Sequence, residues 1–361
     1  MKELYAARIA QVLENLQAQG LEQMIVSDPT TIFYLTGVRI QPGERMLALL
    51  LRVDGAHRFF VNALFGRPEA GLPLEILHDG EDAPARLLPF VEKEKPLGID
   101  KDWPARFLIR LMELHAAPEY RNASDACDDA RAVKDAAEQE AMRASSKVND
   151  DCMAEFEALI RPGITEKEMA DAIRGIYAAH GCSDVSFAPI CGFGPHAADP
   201  HHDNDDTPLT AGQCVLIDVG GVYHDYCSDM TRTFYYRKTP DEETRTIYNL
   251  VRRANEAAEE MLRPGIEIAS VDRCARDIIT EGGYGPYFTH RLGHFIGLQD
   301  HEAGDVSLSN HSLEQPGIVH SIEPGIYKPG TAGVRIEDLV LITPDGHEVL
   351  NHYPHDLIVI E

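Results

Sequence analysis

Residues 159–181 of this chain read LIRPGITEKEMADAIRGIYAAHG, and residues 261–283 read MLRPGIEIASVDRCARDIITEGG, the same arrangement displaced by 102 positions. In each copy a helical pattern runs into Pro-Gly, which stops it, and a second helical pattern follows. A later pair recurs at a similar displacement. AGQCVLIDVGG at 211–221 is echoed by QPGIVHSIEPG at 315–325, where Asp218 aligns with Glu323 at an offset of 105. Two matches in the same order restrict the fold to a duplicated α/β unit whose halves face each other.

The remaining N-terminal part reads as a separate, smaller body. Leu4, Tyr5, Ile9, Val12, Leu13 and Leu16 recur at helical spacing and Gly20 follows as a C-cap, so the chain opens with an amphipathic helix. Strand signals follow in LEQMIVS, in MLALLLRV and HRFFVNAL joined through Asp54-Gly55, and in LEILH and PLGID, with a helix-like stretch near 82–92 between the last two. We therefore expect a mixed α/β domain over 1–122, a polar linker over 123–135, and an α+β domain over 136–361 that begins with a long helix to about 160.

A chain of 361 residues has room for two such cores. Its formal charge of −26 is spread diffusely, without a basic patch to meet a phosphate backbone or an anionic bilayer. Nucleic acid and membrane partners are not expected. The N-terminus MKELYAARIAQVLENL is too interrupted by charge for a signal peptide, so the expected location is cytoplasmic. Seven cysteines without a C-x-x-C pair argue against a disulfide framework or a zinc ribbon and for reduced, buried thiols.

Four acids interrupt apolar strand signals: Asp218 in CVLID, Asp229 in YCSDMTRTF, Glu323 in IVHSIEPGIY and Glu337 in GVRIEDLVLIT. A buried carboxylate is costly unless hydrogen-bonded, paired or metal-bound. An ion pair with Arg232 or Arg335 would answer for one of them. Four acids on a duplicated scaffold, with His294 in HRLGHFIGLQDHE (290–302), point instead to a metal site. Carboxylates with one imidazole suit manganese, cobalt, iron or zinc. Five ligands exceed the three of an open catalytic zinc, so two carboxylate-bridged ions fit better. His290 and His294 do not form a zincin pair, because Arg291 stands where the glutamate belongs and Gly293 disfavours a helix. GFGPHA (192–197) lacks a third glycine and is not expected to open a helix after a strand, which rejects a dinucleotide fingerprint. His202, in PHHDNDD, is equally at home in a solvated loop.

LIDVGGVYHDYCSDMTRTF, HRLGHFIGLQDHE, SIEPGIY and VRIEDLVLIT, in this order and spacing, closely resemble the Xaa-Pro peptidases, prolidase and aminopeptidase P, among the pita-bread-fold metallopeptidases. The resemblance covers about 130–361, and the N-terminal part looks like the smaller creatinase-type domain. It implies that Asp218 and Asp229 bind metal with Asp229 bridging, that His294 and Glu323 bind the second ion, and that Glu337 bridges. It further implies that His201, His290 and His301 line the substrate site, with His201 touching substrate and His301 stabilising the transition state. Tyr327 and Arg335 look like secondary substrate contacts. The implied cofactor is two divalent ions, manganese foremost, which would generate a bridging hydroxide, with Glu323 as proton shuttle. The implied outcome is hydrolysis of an Xaa-Pro bond in a small peptide, by a homodimer.

One position departs from the family. The residue before His301 is usually aliphatic there and lies against the proline ring, but here it is Asp300. Either Asp300 turns outward or meets a cation, or the pocket after the scissile bond is more polar than proline needs, in which case the substrate is a non-proline dipeptide or another small amide. Phe187, matching the other wall, is retained. A metal-free creatinase-like amidinohydrolase and a non-catalytic binding module both conflict with the intact ligand set. A methionine aminopeptidase conflicts with the N-terminal extension.

Overall fold

The computed structural model describes residues 2–361, and the chain divides into two compact units, one ending at Arg131 and the other spanning Ala132–Glu361. In the first unit a six-stranded sheet runs in the order Leu74–Leu77, Arg58–Asn62, Ala48–Arg52, Gln23–Val26, Leu97–Ile99, Tyr120–Asn122. Its central strands are the apolar runs of the sequence, buried throughout because both faces are covered. The opening helix is Lys2–Ala18, with Gly20 beyond it at φ +73°. Asp54-Gly55 turns the antiparallel pair Ala48–Arg52 and Arg58–Asn62, with Gly55 at φ +82°.

Three elements of this unit differ from expectation. Pro29–Thr36 is a helix that the β-branched run Thr30-Thr31-Ile32 concealed; Asp28 caps it by accepting from the Thr30 and Thr31 amides, and Pro29 opens it. The stretch near 82–92 is only a 3₁₀ turn, Ala83–Leu87. The segment expected as a linker over 123–135 is a helix, Ser124–Ala132, so the first body ends later than residue 122. Its alanines and Cys127 are buried among acids that face out, a pattern too short to show a period.

The second unit realises the repeat. Helices Ala136–Ala158 and Glu166–Ala179 are joined through Gly163 at φ +73°, and helices Glu242–Met261 and Ile268–Glu281 through Gly265 at φ +82°. Capping boxes, Asp135 with Glu138 and Thr165 with Glu168, fix both starts in the first pair. Each helix pair covers an antiparallel strand pair. Cys214–Val219 runs against Met230–Tyr236 with Asp218 opposite Thr231, and Val319–Ile322 runs against Asp338–Thr343 with Ile322 opposite Asp338. Each half has its own core, one around Tyr177, Phe193, Ile217 and Phe234, the other around Val251, Ile268, Ile322 and Val340. Each such side chain contributes ~1.5–3 kcal/mol of burial, which makes these strands a rigid base for what lies at their ends. No helix among the described residues is long and apolar enough to cross a membrane.

Candidate metal centre

The duplicated strands deliver the acids by one rule. In each half an acid sits at the end of the first strand and another sits just ahead of the second: Asp218 and Asp229, then Glu323 and Glu337. His294 enters from the two-residue strand Gly293–His294, not from a helix. Ligand atoms of Asp218, Asp229 and Glu337 lie within 4.8 Å of one another, as do those of His294, Glu323 and Glu337, so two neighbouring positions share Glu337.

The donor set fits cations. Asp218 Oδ1 and Asp229 Oδ1 are buried without a hydrogen-bond partner. Among the described residues no lysine or arginine pairs with Asp229, Glu323 or Glu337; only Asp218 has one, Arg335 Nη2 at 2.5 Å. Burial first, then the neighbouring carboxylates, push the Asp229 and Glu337 carboxyls well above their ordinary range, and burial pushes Glu323 up to about 8. His294 Nδ1 faces the Phe295 carbonyl at 3.3 Å, which turns Nε2 toward Asp229 at 3.4 Å and Glu323 at 3.7 Å. Burial and the neighbouring His301 press its pKa down to about 3, so a lone pair faces carboxylates, an arrangement that a cation resolves.

The supporting hydrogen bonds run through two residues. Arg335 is 3% exposed and all three of its nitrogens are engaged: Nη2 with Asp218, Nε donating to Thr231 Oγ1 at 3.0 Å, Nη1 donating to Tyr327 Oη at 2.8 Å. Thr231 Oγ1 in turn donates to Glu337 Oε2 at 2.6 Å. Arg335 therefore braces the carboxylate cluster while also lining the cleft above it. Tyr327 is buried and donates its hydroxyl hydrogen bond to His290 Nε2 at 2.8 Å, while His290 Nδ1 donates to the Arg291 carbonyl at 2.7 Å. His290 lines the cleft, but with both nitrogens committed it offers substrate only the ring.

The cleft above the cluster has a volume of about 660 Å³, and its wall includes His201, His290, His301, Phe187 and Asp300. His301 is exposed and stacks on His294, ring centroids 3.8 Å apart. Arg291 Nη2 donates to His301 Nδ1 at 2.9 Å; a guanidinium has no acceptor, so the imidazole proton sits on Nε2. Asp300 neither turns outward nor meets a lysine or arginine among the described residues. Its Oδ1 is buried and unpartnered, and its ligand atoms stand with those of Asp229 and His294 within 4.8 Å.

Some contributors were not singled out in the sequence. Thr231 and Ser321, whose Oγ donates to Glu323 Oε1 at 3.3 Å, sit inside quoted motifs but are ordinary strand residues by pattern. Glu166 is fully buried and gathers the loop that carries His201: its oxygens accept from the Phe193 and Asp205 amides and meet His196 Nδ1 at 2.9 Å and His202 Nε2 at 2.7 Å. His202 thus closes this anchor and is not a free loop residue. GFGPHA begins within a strand, Ile190–Phe193, and, as expected, opens no α-helix after it, only a 3₁₀ turn, Gly194–Ala198, which supplies no α-helical N-terminus for a dinucleotide.

Residues 140–344 match metallopeptidase family M24, and residues 8–133 match the creatinase/prolidase N-terminal domain. An uncharacterized peptidase of Staphylococcus haemolyticus is 35% identical over 358 residues, covering 96% of this chain and 99% of that protein. Among solved structures, dipeptidase PepE from Mycobacterium ulcerans superposes with a TM-score of 0.92 at 34% identity, over 99% of this chain and 98% of that one. Prolidase from Pyrococcus horikoshii gives a TM-score of 0.89 at 29% identity, over 98% of this chain and 100% of that one.

Proposed function

The chain belongs to metallopeptidase family M24, and from that premise we propose that it is a cytoplasmic Xaa-Pro dipeptidase that works with two divalent ions, manganese foremost. The observation that carries this reading is the cluster of unneutralised carboxylates with His294 at the floor of a cleft sized for a small peptide. The similarity to a dipeptidase and a prolidase over nearly the whole chain supports a dipeptide over a longer substrate. When bound to Asp218, Asp229, His294, Glu323 and Glu337, the two cations would supply an activated water and a Lewis acid for the scissile carbonyl.

The remaining chemistry is that of the chain itself. Arg335 and Thr231 keep Asp218 and Glu337 in place. Glu323 has Oε1 engaged with Ser321, which leaves Oε2 to take a proton from the attacking water and return it to the leaving nitrogen as the C–N bond breaks. His301, with its proton on Nε2, donates to the oxygen that gains charge in the tetrahedral species, typically a contribution of ~3 kcal/mol. His201 contacts the substrate from the loop anchored on Glu166, and the Phe187 ring supplies the apolar wall for proline.

Metal-depleted protein, reloaded with Mn(II), Co(II) or Zn(II), should cleave Ala-Pro and spare Ala-Pro-Ala and Ala-Arg. Cleavage of Ala-Pro-Ala at the Ala-Pro bond would make the enzyme an aminopeptidase P. Turnover of Ala-Arg with Ala-Pro untouched would overturn the proline reading and move the substrate to other dipeptides.

A further inference from the structure

We infer that Asp300 is a sixth metal ligand, joining Asp229 and His294 at the second ion, and is not part of the pocket that receives the residue after the scissile bond. This deepens the dinuclear reading and rests on it. Ligand atoms of Asp300, Asp229 and His294 all lie within 4.8 Å of one another. Two ligands on opposite sides of a divalent ion at ~2.1 Å each stand ~4.2 Å apart, close to the limit within which these three atoms lie. The Asp300 carboxyl, whose Oδ1 is buried without a partner, is in hydrogen-bonding reach of Asp229, a second carboxyl with a buried, unpartnered oxygen. Two such groups need a shared proton or a shared cation. No lysine or arginine among the described residues is there to serve, and the nearest imidazole nitrogen, His301 Nε2, is 3.5 Å from Asp300 Oδ2.

The loop leaves Asp300 little freedom to aim elsewhere. Glu302, two residues on, is buried against Lys134 Nζ at 3.1 Å, and its Oε1 accepts from the Leu298 amide at 3.0 Å. The Cys227 amide donates to the Gly297 carbonyl at 2.8 Å, and a Cβ on Gly297 would strike the Glu302 carboxylate at 2.8 Å. The segment is tied at both ends of Asp300. With this residue the donors become five carboxylates and one imidazole, a set that shifts preference from zinc toward harder, higher-coordinate ions such as manganese.

The test compares wild type with Asp300→Ala and Asp300→Asn, using Mn(II) in calorimetry and Co(II) in visible absorption. Circular dichroism and melting of the metal-free forms would show that the variants fold. Wild type should take up two Mn(II). In both variants the weaker Mn(II) should bind at least ~10-fold less tightly, and the Co(II) bands should intensify as coordination number falls. Unchanged Mn(II) affinity and Co(II) spectra, with only KM for dipeptides altered, would overturn the proposal while leaving the dinuclear reading intact. A wild type that takes up no Mn(II) would overturn both.

Discussion

Glu337 and Asp338 are neighbours in sequence, both 2% exposed or less, and they meet opposite electrostatic fates. Burial pushes Asp338 up, but Arg232 and His355 overcome it: Arg232 Nη2 donates to Oδ1 at 2.7 Å, His355 Nε2 stands 2.8 Å from Oδ2, and the carboxyl is held below its ordinary range. Glu337 points to the other side of the strand, toward Glu323 and Asp218, and rises well above its ordinary range. Asp338 meets its own cationic partners, whereas Glu337 gathers carboxylates with no lysine or arginine paired to it among the described residues. That difference separates a structural acid from a candidate ligand, although the two are indistinguishable in the stretch VRIEDLVLIT.

The largest effect should come from Glu337→Gln. Hydrolysis should disappear with loss of bound metal, and the metal-free variant should melt higher than metal-free wild type because a buried carboxyl, held among other carboxylates far from its preferred ionisation, is replaced by a neutral amide; a lower melting point would break the comparison. Asp338→Ala should do the reverse, leaving Arg232 buried and unpaired at a cost of about 3–5 kcal/mol in urea denaturation, with metal stoichiometry unchanged. A cost under about 1 kcal/mol would mean that Arg232 does not depend on it. His301→Ala should lower kcat on the order of 10²-fold at unaltered Mn(II) affinity, separating the imidazole that donates from the stacked His294 that binds. Loss of metal in this variant would merge their roles.

The smallest effect is in pH. In the metal-free protein Glu323 has its folded pKa at about 8, above its ordinary value of 4.5. The folded state binds this proton more tightly, so its contribution is complete below about pH 4.5 and is lost as pH rises through about 8. The slope is no steeper than about 1.4 kcal/mol per pH unit for one proton. Saturating Mn(II) should flatten it. A metal-free protein that gains stability over this window would contradict the picture of carboxylates held without a cation.

The repeat and the acids it aligns were legible because helix stops and strand-end acids leave local marks. The pairing of the acids was not. Arg335 reaches Asp218 across 117 residues and Arg232 reaches Asp338 across 106, so the ion pair weighed in advance for any of the four strand acids exists for Asp218 alone. His290 was readable as a cleft residue, yet only Tyr327, 37 positions away, shows that its nitrogens are spent. Asp300 stood out as a departure, but its direction depends on the Lys134–Glu302 pair, which no local pattern reveals. The helix Pro29–Thr36 was hidden by residues whose propensity favours strands, overridden by the Asp28 cap and tertiary burial.

The buried carboxylates and His294 form a cluster that could hold cations, two by the reading proposed above. Mn(II) should be titrated into metal-free protein while heat, bound stoichiometry and Ala-Pro hydrolysis are followed together. Two ions per chain should bind, with hydrolysis rising as the sites fill. Full hydrolysis by protein stripped of metal, or no Mn(II) uptake at all, would contradict it.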